Sequence, residues 1–148
     1  DQNLVLKYYY HLGIAVDTPF GLTVPVVRDV DQKSIIDLSS ELMDLSSRAR
    51  QKKLKPDEIK GGTFTISSLG GIGGTGFSPI VNPPEVAIMG VSKSDWKQVY
   101  DKATGEFQTR FIMPFSLSYD HRVIDGASAA AFTSRFASAL CDLSYFKN

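Results

Sequence analysis

The chain has 148 residues, and 16 Lys and Arg residues balance 16 Asp and Glu residues, so its formal net charge is zero. Hydrophobic residues make up 43% of the sequence, which is enough for one compact domain and excludes a disordered chain. A neutral chain lacks the basic excess with which nucleic-acid binders meet phosphates, and no apolar run is long enough to span a membrane. The single cysteine, Cys141, excludes an internal disulfide and a cysteine-based zinc site.

Extended segments and one helix are predicted for the first part of the chain. β-branched and aromatic residues from Leu4 to Val27 predict two or three strands, with a turn at Asp17–Gly21. Apolar residues then recur at spacings of three and four, which predicts a helix from about Ser34 to Lys53, with Ser34 and Asp37 as a capping pair. The basic stretch Arg48–Lys60 is interpreted as the solvated end of this helix, with a patch for an anionic ligand as the alternative.

The rest of the chain alternates in the same way between strand and helix patterns. The sequence predicts one helical turn at 56–59 and strands at 63–67, 86–92, 98–100 and 107–119. Helical spacing returns between Ala129 and Leu143, where small residues favour close packing against a sheet. The fold class predicted from these patterns is α+β.

A glycine-rich segment, Gly71–Gly76, matches the spacing of a dinucleotide-binding fingerprint and follows a predicted strand. A nucleotide loop of that kind must open a helix, but Pro79, Pro83 and Pro84 prevent the next segment from being one. The glycines are therefore interpreted as sites of sharp turning or close approach to another group.

Two groups of polar residues are candidates for chemistry. His121 follows the last predicted strand, and Asp125 lies four residues later, where a helix is about to begin. An imidazole there could act as a general base, although a structural histidine is the commoner outcome for such a pattern. Ser67 and Ser68 end an earlier strand and could donate a hydrogen bond to an oxyanion, with a turn or cap role favoured by spacing alone. With only two histidines in the chain, no metal site is predicted.

The segment LSYDHRVIDGA, from Leu117 to Ala127, resembles the active-site motif of the dihydrolipoamide acyltransferases, the E2 components of 2-oxo acid dehydrogenase complexes. The resemblance continues through GIAVDTPFGLTVPVVRDVD at 13–31 and GGTFTISSLGGIGGTGFSPIVNPPEVAIMGVSKS at 61–94, so it covers nearly the whole chain. The second segment is most similar to the pyruvate-complex branch of the family. Acetyl transfer between the thiols of dihydrolipoamide and coenzyme A is the activity that the resemblance implies.

The resemblance also implies roles for individual residues. His121 corresponds to the general base of the family, Asp125 to a residue that holds the active-site geometry, and Ser67 to the hydroxyl that binds the oxyanion. Ser68 and Gly70 are expected along the substrate channel. The implied fold is like that of chloramphenicol acetyltransferase, with two layers in which a mixed sheet is flanked by helices.

The implied assembly is a homotrimer with active sites between subunits, so Ser67 and His121 of one site are expected from different chains. Trimers are expected to build a cubic core of twenty-four subunits, which meets E1 and E3 components through other domains. Residues 1–148 are expected to be the C-terminal part of the catalytic domain, without lipoyl or subunit-binding domains. The lipoyl group would arrive on such a domain, and no metal is implied. The expected location is the bacterial cytoplasm, or alternatively the mitochondrial matrix.

Three alternatives stay open at this point. The acyl group could be succinyl or branched-chain rather than acetyl. The chain could also be a catalytically idle assembly scaffold, since the family arginine that pairs with the residue at the Asp125 position has no match here. A nucleotide-dependent oxidoreductase is disfavoured by the prolines that follow Gly76.

Overall fold

The computed structural model describes residues 3–146 and contains nine strands and two α-helices. The strands are β1 (Leu12–Ile14), β2 (Val16–Thr18), β3 (Gly21–Thr23), β4 (Val26–Val27), β5 (Phe64–Ser68), β6 (Ala87–Val91), β7 (Asp95–Asp101), β8 (Glu106–Ile112) and β9 (Phe115–Tyr119). The helices are α1 (Ile35–Arg50) and α2 (Gly126–Cys141), and short 3₁₀ helices span Val30–Gln32, Pro56–Ile59 and Leu143–Phe146. None of the helices among residues 3–146 combines the length and the apolar composition that a membrane span requires.

The core is a five-stranded mixed sheet with the order β4-β1-β5-β6-β9. Strand β5 runs parallel to both β1 and β6, whereas β9 is antiparallel to β6 and β4 is antiparallel to β1. Strands β5 and β9 run in opposite directions on the two sides of β6, so their C-terminal ends point to opposite sides of the sheet. These two sides, at which the strands end, are called edges here. The predicted α+β class and mixed sheet are confirmed.

Both helices begin at side-chain caps. The Ser34 hydroxyl accepts the Asp37 N–H and donates to the Asp37 carboxylate, which confirms the predicted capping pair. Helix α1 buries Leu45 and Ala49 and packs chiefly on β2. Asp125 caps α2, whose aromatic side chains approach the sheet.

Two predicted strands differ from the structure. The residues from Leu4 to Tyr10, which begin the run predicted as two or three strands, are exposed and form no strand, so this part of the prediction is wrong. Their β-favouring side chains are not enough in the absence of a partner strand within the described chain. The predicted strand at 107–119 is divided into β8 and β9 at Met113 and Pro114, because proline has no N–H to continue a ladder.

The remaining connections agree with the sequence patterns. The predicted turn at Asp17–Gly21 joins β2 and β3, and a turn at residues 102–105 joins β7 and β8 in a longer hairpin. At the basic end of α1, the Arg48 guanidinium pairs with Asp44 and Glu58, in line with a structural rather than a ligand-binding role. The segment from Phe77 to Glu85 forms no helix, as its prolines predict.

Candidate active site

The His121 turn, defined here as residues 120–124, follows β9 directly. The Asp120 N–H donates to the Val86 carbonyl oxygen and so extends the ladder between β6 and β9 by one hydrogen bond. The Asp120 carbonyl oxygen then accepts the N–H groups of Val123 and Ile124, which closes the turn. His121 is exposed on this turn, and the centroid of its ring lies 5.7 Å from that of Tyr119.

The Asp120 side chain fixes the backbone on the C-terminal side of His121. Its Oδ1 accepts the Arg122 N–H at 3.0 Å, and both carboxylate oxygens accept from the Arg122 guanidinium, with Nε to Oδ1 at 2.9 Å. These hydrogen bonds lower the pKa of Asp120 to about 2, so the carboxylate is ionised at neutral pH. Sequence reasoning missed this pair, although an aspartate two residues before a basic residue at a strand end is a turn signal.

Asp125 closes the loop between the His121 turn and α2. Its Oδ1 accepts the Ser128 N–H at 2.7 Å, which makes it the N-cap of the helix. Hydrogen bonding from Ser128, and to a smaller extent the nearby His121, lowers the pKa of the Asp125 carboxyl group. A negative charge is thus held within the electrostatic reach of the imidazole.

Ser67 lies near the end of β5, opposite Gly90 on β6. Its side chain lines a cavity of about 490 Å³ together with Thr65, the next residue on the same face of the strand. The other walls are mostly apolar and include Leu22, Phe77 and Ile80. A hydroxyl in a largely apolar cavity has the surroundings in which one hydrogen bond to a developing charge is most valuable.

Ser68 and Gly70 lie next to Ser67 in the chain, where β5 turns. The Gly70 N–H donates to the Ser68 hydroxyl oxygen at 3.3 Å, so the Ser68 side chain takes part in a turn. The Leu69 N–H continues the sheet by donating to the Val91 carbonyl oxygen. The three expected residues Ser67, Ser68 and Gly70 are therefore at one edge of the sheet.

Ser67 and His121 are not brought together within the chain. Ser67 pairs with Gly90, whereas Tyr119 pairs with Ala87, three residues away along β6. Strand rise and strand spacing then put the Cα atoms of Ser67 and Tyr119 about 14 Å apart, and the chain continues away from Ser67 before it reaches His121. A hydroxyl and an imidazole so placed cannot act on one reacting carbonyl in a single chain.

The second histidine has a structural position. His11 is 8% exposed, and its Nδ1 accepts the Asp29 N–H at 3.0 Å. Asp29 adopts a left-handed conformation with φ of 48°, and this hydrogen bond helps to hold it there.

Comparison with known proteins gives one consistent result. Residues 1–145 match the family described as 2-oxoacid dehydrogenases acyltransferase (catalytic domain). The chain is 59% identical over 140 residues to the dihydrolipoyllysine-residue acetyltransferase component of the pyruvate dehydrogenase complex of Pseudomonas aeruginosa. That alignment covers 95% of this chain and 25% of the relative, so the chain spans about a quarter of the relative's length.

Solved structures agree with the sequence comparison. The dihydrolipoamide acetyltransferase of Azotobacter vinelandii is 56% identical, with a TM-score of 0.94 over 98% of this chain and 59% of that one. The cubic core of the pyruvate dehydrogenase multienzyme complex gives the same identity, coverage and TM-score.

Proposed function

The chain belongs to the 2-oxoacid dehydrogenase acyltransferase family, and from this premise we propose that it transfers acetyl groups between the thiols of dihydrolipoamide and coenzyme A. The observation that carries the proposal is the pair of opposite sheet edges, one with Ser67 in a cavity and the other with His121 on an exposed turn. The Azotobacter structure concerns a serine, a histidine and an asparagine in the catalytic mechanism of that enzyme. The asparagine stands four residues after the histidine, and Asp125 stands at the same spacing after His121.

His121 acts as the general base in this proposal. A free thiol has a pKa of about 8.5 and is mostly protonated at neutral pH, so its attack on a thioester needs a proton acceptor. The imidazole takes the thiol proton as the sulfur attacks the carbonyl carbon. It then gives the proton to the departing thiolate, and the imidazole ends as it began.

Ser67 stabilises the charge that this attack creates. When the sulfur adds to the carbonyl carbon, the carbonyl oxygen becomes an oxyanion, which the Ser67 hydroxyl binds by donating a hydrogen bond. One such donor contributes about 3 to 4 kcal/mol to a transition state. Because the two thiols exchange the acyl group directly, no acyl-enzyme is required, and much of the rate gain comes from proximity.

The active site is completed by a second subunit. The separation of about 14 Å between the Ser67 and Tyr119 Cα atoms supports an arrangement in which Ser67 of one subunit faces His121 of another. In a homotrimer, the same threefold rotation relates each subunit to the next. The Ser67 edge of every subunit can therefore face the His121 turn of a neighbouring subunit. The likeness to a protein that forms a cubic core supports further assembly of trimers, with E1 and E3 components as partners of the whole protein.

Asp125 holds the geometry at the His121 edge. It ties the end of the His121 turn to the start of α2 by accepting the Ser128 N–H. An asparagine can form the same cap, which fits its presence in the Azotobacter enzyme, but it carries no charge.

The comparisons favour acetyl over succinyl or branched-chain groups, because the Pseudomonas relative is named for acetyl transfer in the pyruvate dehydrogenase complex. That relative and the Azotobacter protein are bacterial, which supports the bacterial cytoplasm rather than the mitochondrial matrix as the location.

The direct test is acetyl transfer from acetyl-coenzyme A to dihydrolipoamide by the purified protein, with succinyl-coenzyme A in parallel. Faster transfer of acetyl than of succinyl supports the proposal, and an assembled protein that transfers neither group is an idle scaffold. Sedimentation of the same sample should give a trimer or a larger particle. A stable, active monomer would contradict a site shared between subunits.

A further inference from the structure

A carboxyl group outside the proposed catalytic set is hydrogen-bonded to Thr65, one of the residues that line the Ser67 cavity. Glu85 precedes β6, and its Oε2 accepts a hydrogen bond from the Thr65 hydroxyl at 2.6 Å. Thr65 is 1% exposed, and Glu85 itself is partly buried. This hydrogen bond offsets the desolvation cost of a partly buried carboxyl group and fixes the position of Glu85 relative to β5.

Two glycines create the space for this pair. A Cβ atom added at Gly62 would lie 2.4 Å from Glu85 Oε1, which no structure tolerates without movement. A Cβ atom at Gly13 would lie 2.7 Å from the Thr65 hydroxyl oxygen. The carboxyl group therefore occupies a notch, formed by Gly13, Gly62 and Thr65, that any larger residue at either glycine would fill.

Glu85 also ends the segment that walls the Ser67 cavity. The segment runs from Phe77 to Glu85, and its residues Val81 and Asn82 line the same cavity as Ser67. The Glu85 N–H donates to the Asn82 carbonyl oxygen at 3.0 Å, so one tight turn connects Glu85 to the cavity wall at Asn82.

The other end of the segment is attached independently. The Ser116 hydroxyl on β9 donates to the Phe77 carbonyl oxygen, and the Phe77 ring lies so close to Gly90 that a Cβ atom there would be 2.8 Å from it. The wall is thus held at two points, by β9 at Phe77 and by β5 at Glu85.

We propose that Glu85, held by Thr65 in this notch, is a positioning residue that sets the distance between the cavity wall and the Ser67 hydroxyl. The proposal rests on the proposed function, because it gives Glu85 a role in positioning the thioester next to the Ser67 hydroxyl. Thr65 and Ser67 lie on the same face of β5. The cavity wall, through Glu85, and the Ser67 hydroxyl are therefore both attached to the same strand. Displacement of a bound substrate by as little as 1 Å lowers rates strongly.

The test is a double-mutant cycle between Gly62 and Glu85, with kcat/KM for dihydrolipoamide as the readout in the full-length protein. Gly62→Ala, which pushes the carboxyl group out of the notch, and Glu85→Ala, which removes it, should each lower kcat/KM about tenfold. The double variant should be no worse than Glu85→Ala alone, because the new methyl group then meets no carboxyl group. Additive losses would overturn the proposal.

Conservative and control variants separate positioning from simple loss of stability. Glu85→Gln keeps an oxygen that accepts from Thr65 and should stay within about threefold of wild type. Ser40→Ala, on the exposed surface of α1, changes a residue outside the Ser67 cavity and should keep wild-type kcat/KM. All rates are measured below the melting temperature of the weakest variant. If Glu85→Ala lowers only the melting temperature, the positioning role is wrong, whereas inactive wild-type protein would instead refute the proposed function.

Discussion

The two edges of the central sheet hold their proposed catalytic groups in different ways. Ser67 is part of β5, whose backbone is hydrogen-bonded into the sheet, so its position is set mainly by main-chain pairing. His121 lies beyond the last ladder hydrogen bond, on an exposed turn held by the Asp120 and Arg122 side chains. We expect the backbone position of Ser67 to depend little on side chains, whereas the backbone of the His121 turn should depend on a few polar contacts.

The largest effect is expected at the His121 edge. His121→Ala should lower kcat for acetyl transfer by about three to four orders of magnitude, because the proton acceptor is lost. Sedimentation of the same variant is the control, and its particle size should equal that of wild type. A variant that assembles and keeps wild-type kcat would contradict the assignment of His121 as the base.

A smaller loss is expected at the Ser67 edge. Ser67→Ala should lower kcat by about two to three orders of magnitude with little change in KM, since its hydrogen bond strengthens only in the transition state. The matched control is Ser138→Ala on the exposed face of α2, which should leave both constants unchanged. A change confined to KM would make Ser67 a binding residue instead.

The Asp120 and Arg122 pair tests how far the His121 turn depends on side chains. Asp120→Ala removes both the acceptor for the Arg122 N–H and the partner of its guanidinium, and should lower kcat/KM about tenfold.

The pKa of Asp120 falls from 3.8 to about 2 on folding, so the ionised group stabilises the fold above pH 3.8 and loses this effect as the pH falls towards 2. Melting curves of wild type and Asp120→Asn should therefore differ at neutral pH and converge near pH 2. Curves that stay equally separated at all pH values would show that the charge of Asp120 has no role.

The smallest effect concerns the cap of α2. Asp125→Ala should lower the melting temperature by about 2 to 4 °C because the Ser128 N–H loses its acceptor, whereas Asp125→Asn should keep it. Ser34→Ala removes the equivalent cap of α1, far from the His121 turn, and should lower the melting temperature with kcat unchanged. Equal effects of Asp125→Ala and Ser34→Ala on kcat would remove the positioning role of Asp125.

Local patterns predicted most of the elements, and tertiary register decided what they missed. The spacing between Ser34 and Lys53 predicted α1 because an amphipathic helix is a local property. The division of one predicted strand at Pro114 follows from a single missing N–H, whereas the exposed run from Leu4 to Tyr10 shows that β propensity needs a partner.

The same limit applies to the candidate site. Motif resemblance selected Ser67, His121 and Asp125, and their catalytic roles remain predictions. No local pattern could reveal that Ser67 and His121 lie at opposite edges, because this depends on β9 running antiparallel to β6. The Glu85 notch was equally invisible, since Gly13, Gly62 and Thr65 meet only when β1 and β5 pair.

Complementation between two inactive variants tests the shared site most directly. Ser67→Ala and His121→Ala chains are unfolded together in equal amounts, reassembled, and assayed for acetyl transfer beside each variant reassembled alone. If Ser67 and His121 of one site come from different subunits, random mixing should restore about a quarter of wild-type activity. If the mixture is no more active than the two variants separately, Ser67 and His121 of one site belong to the same chain.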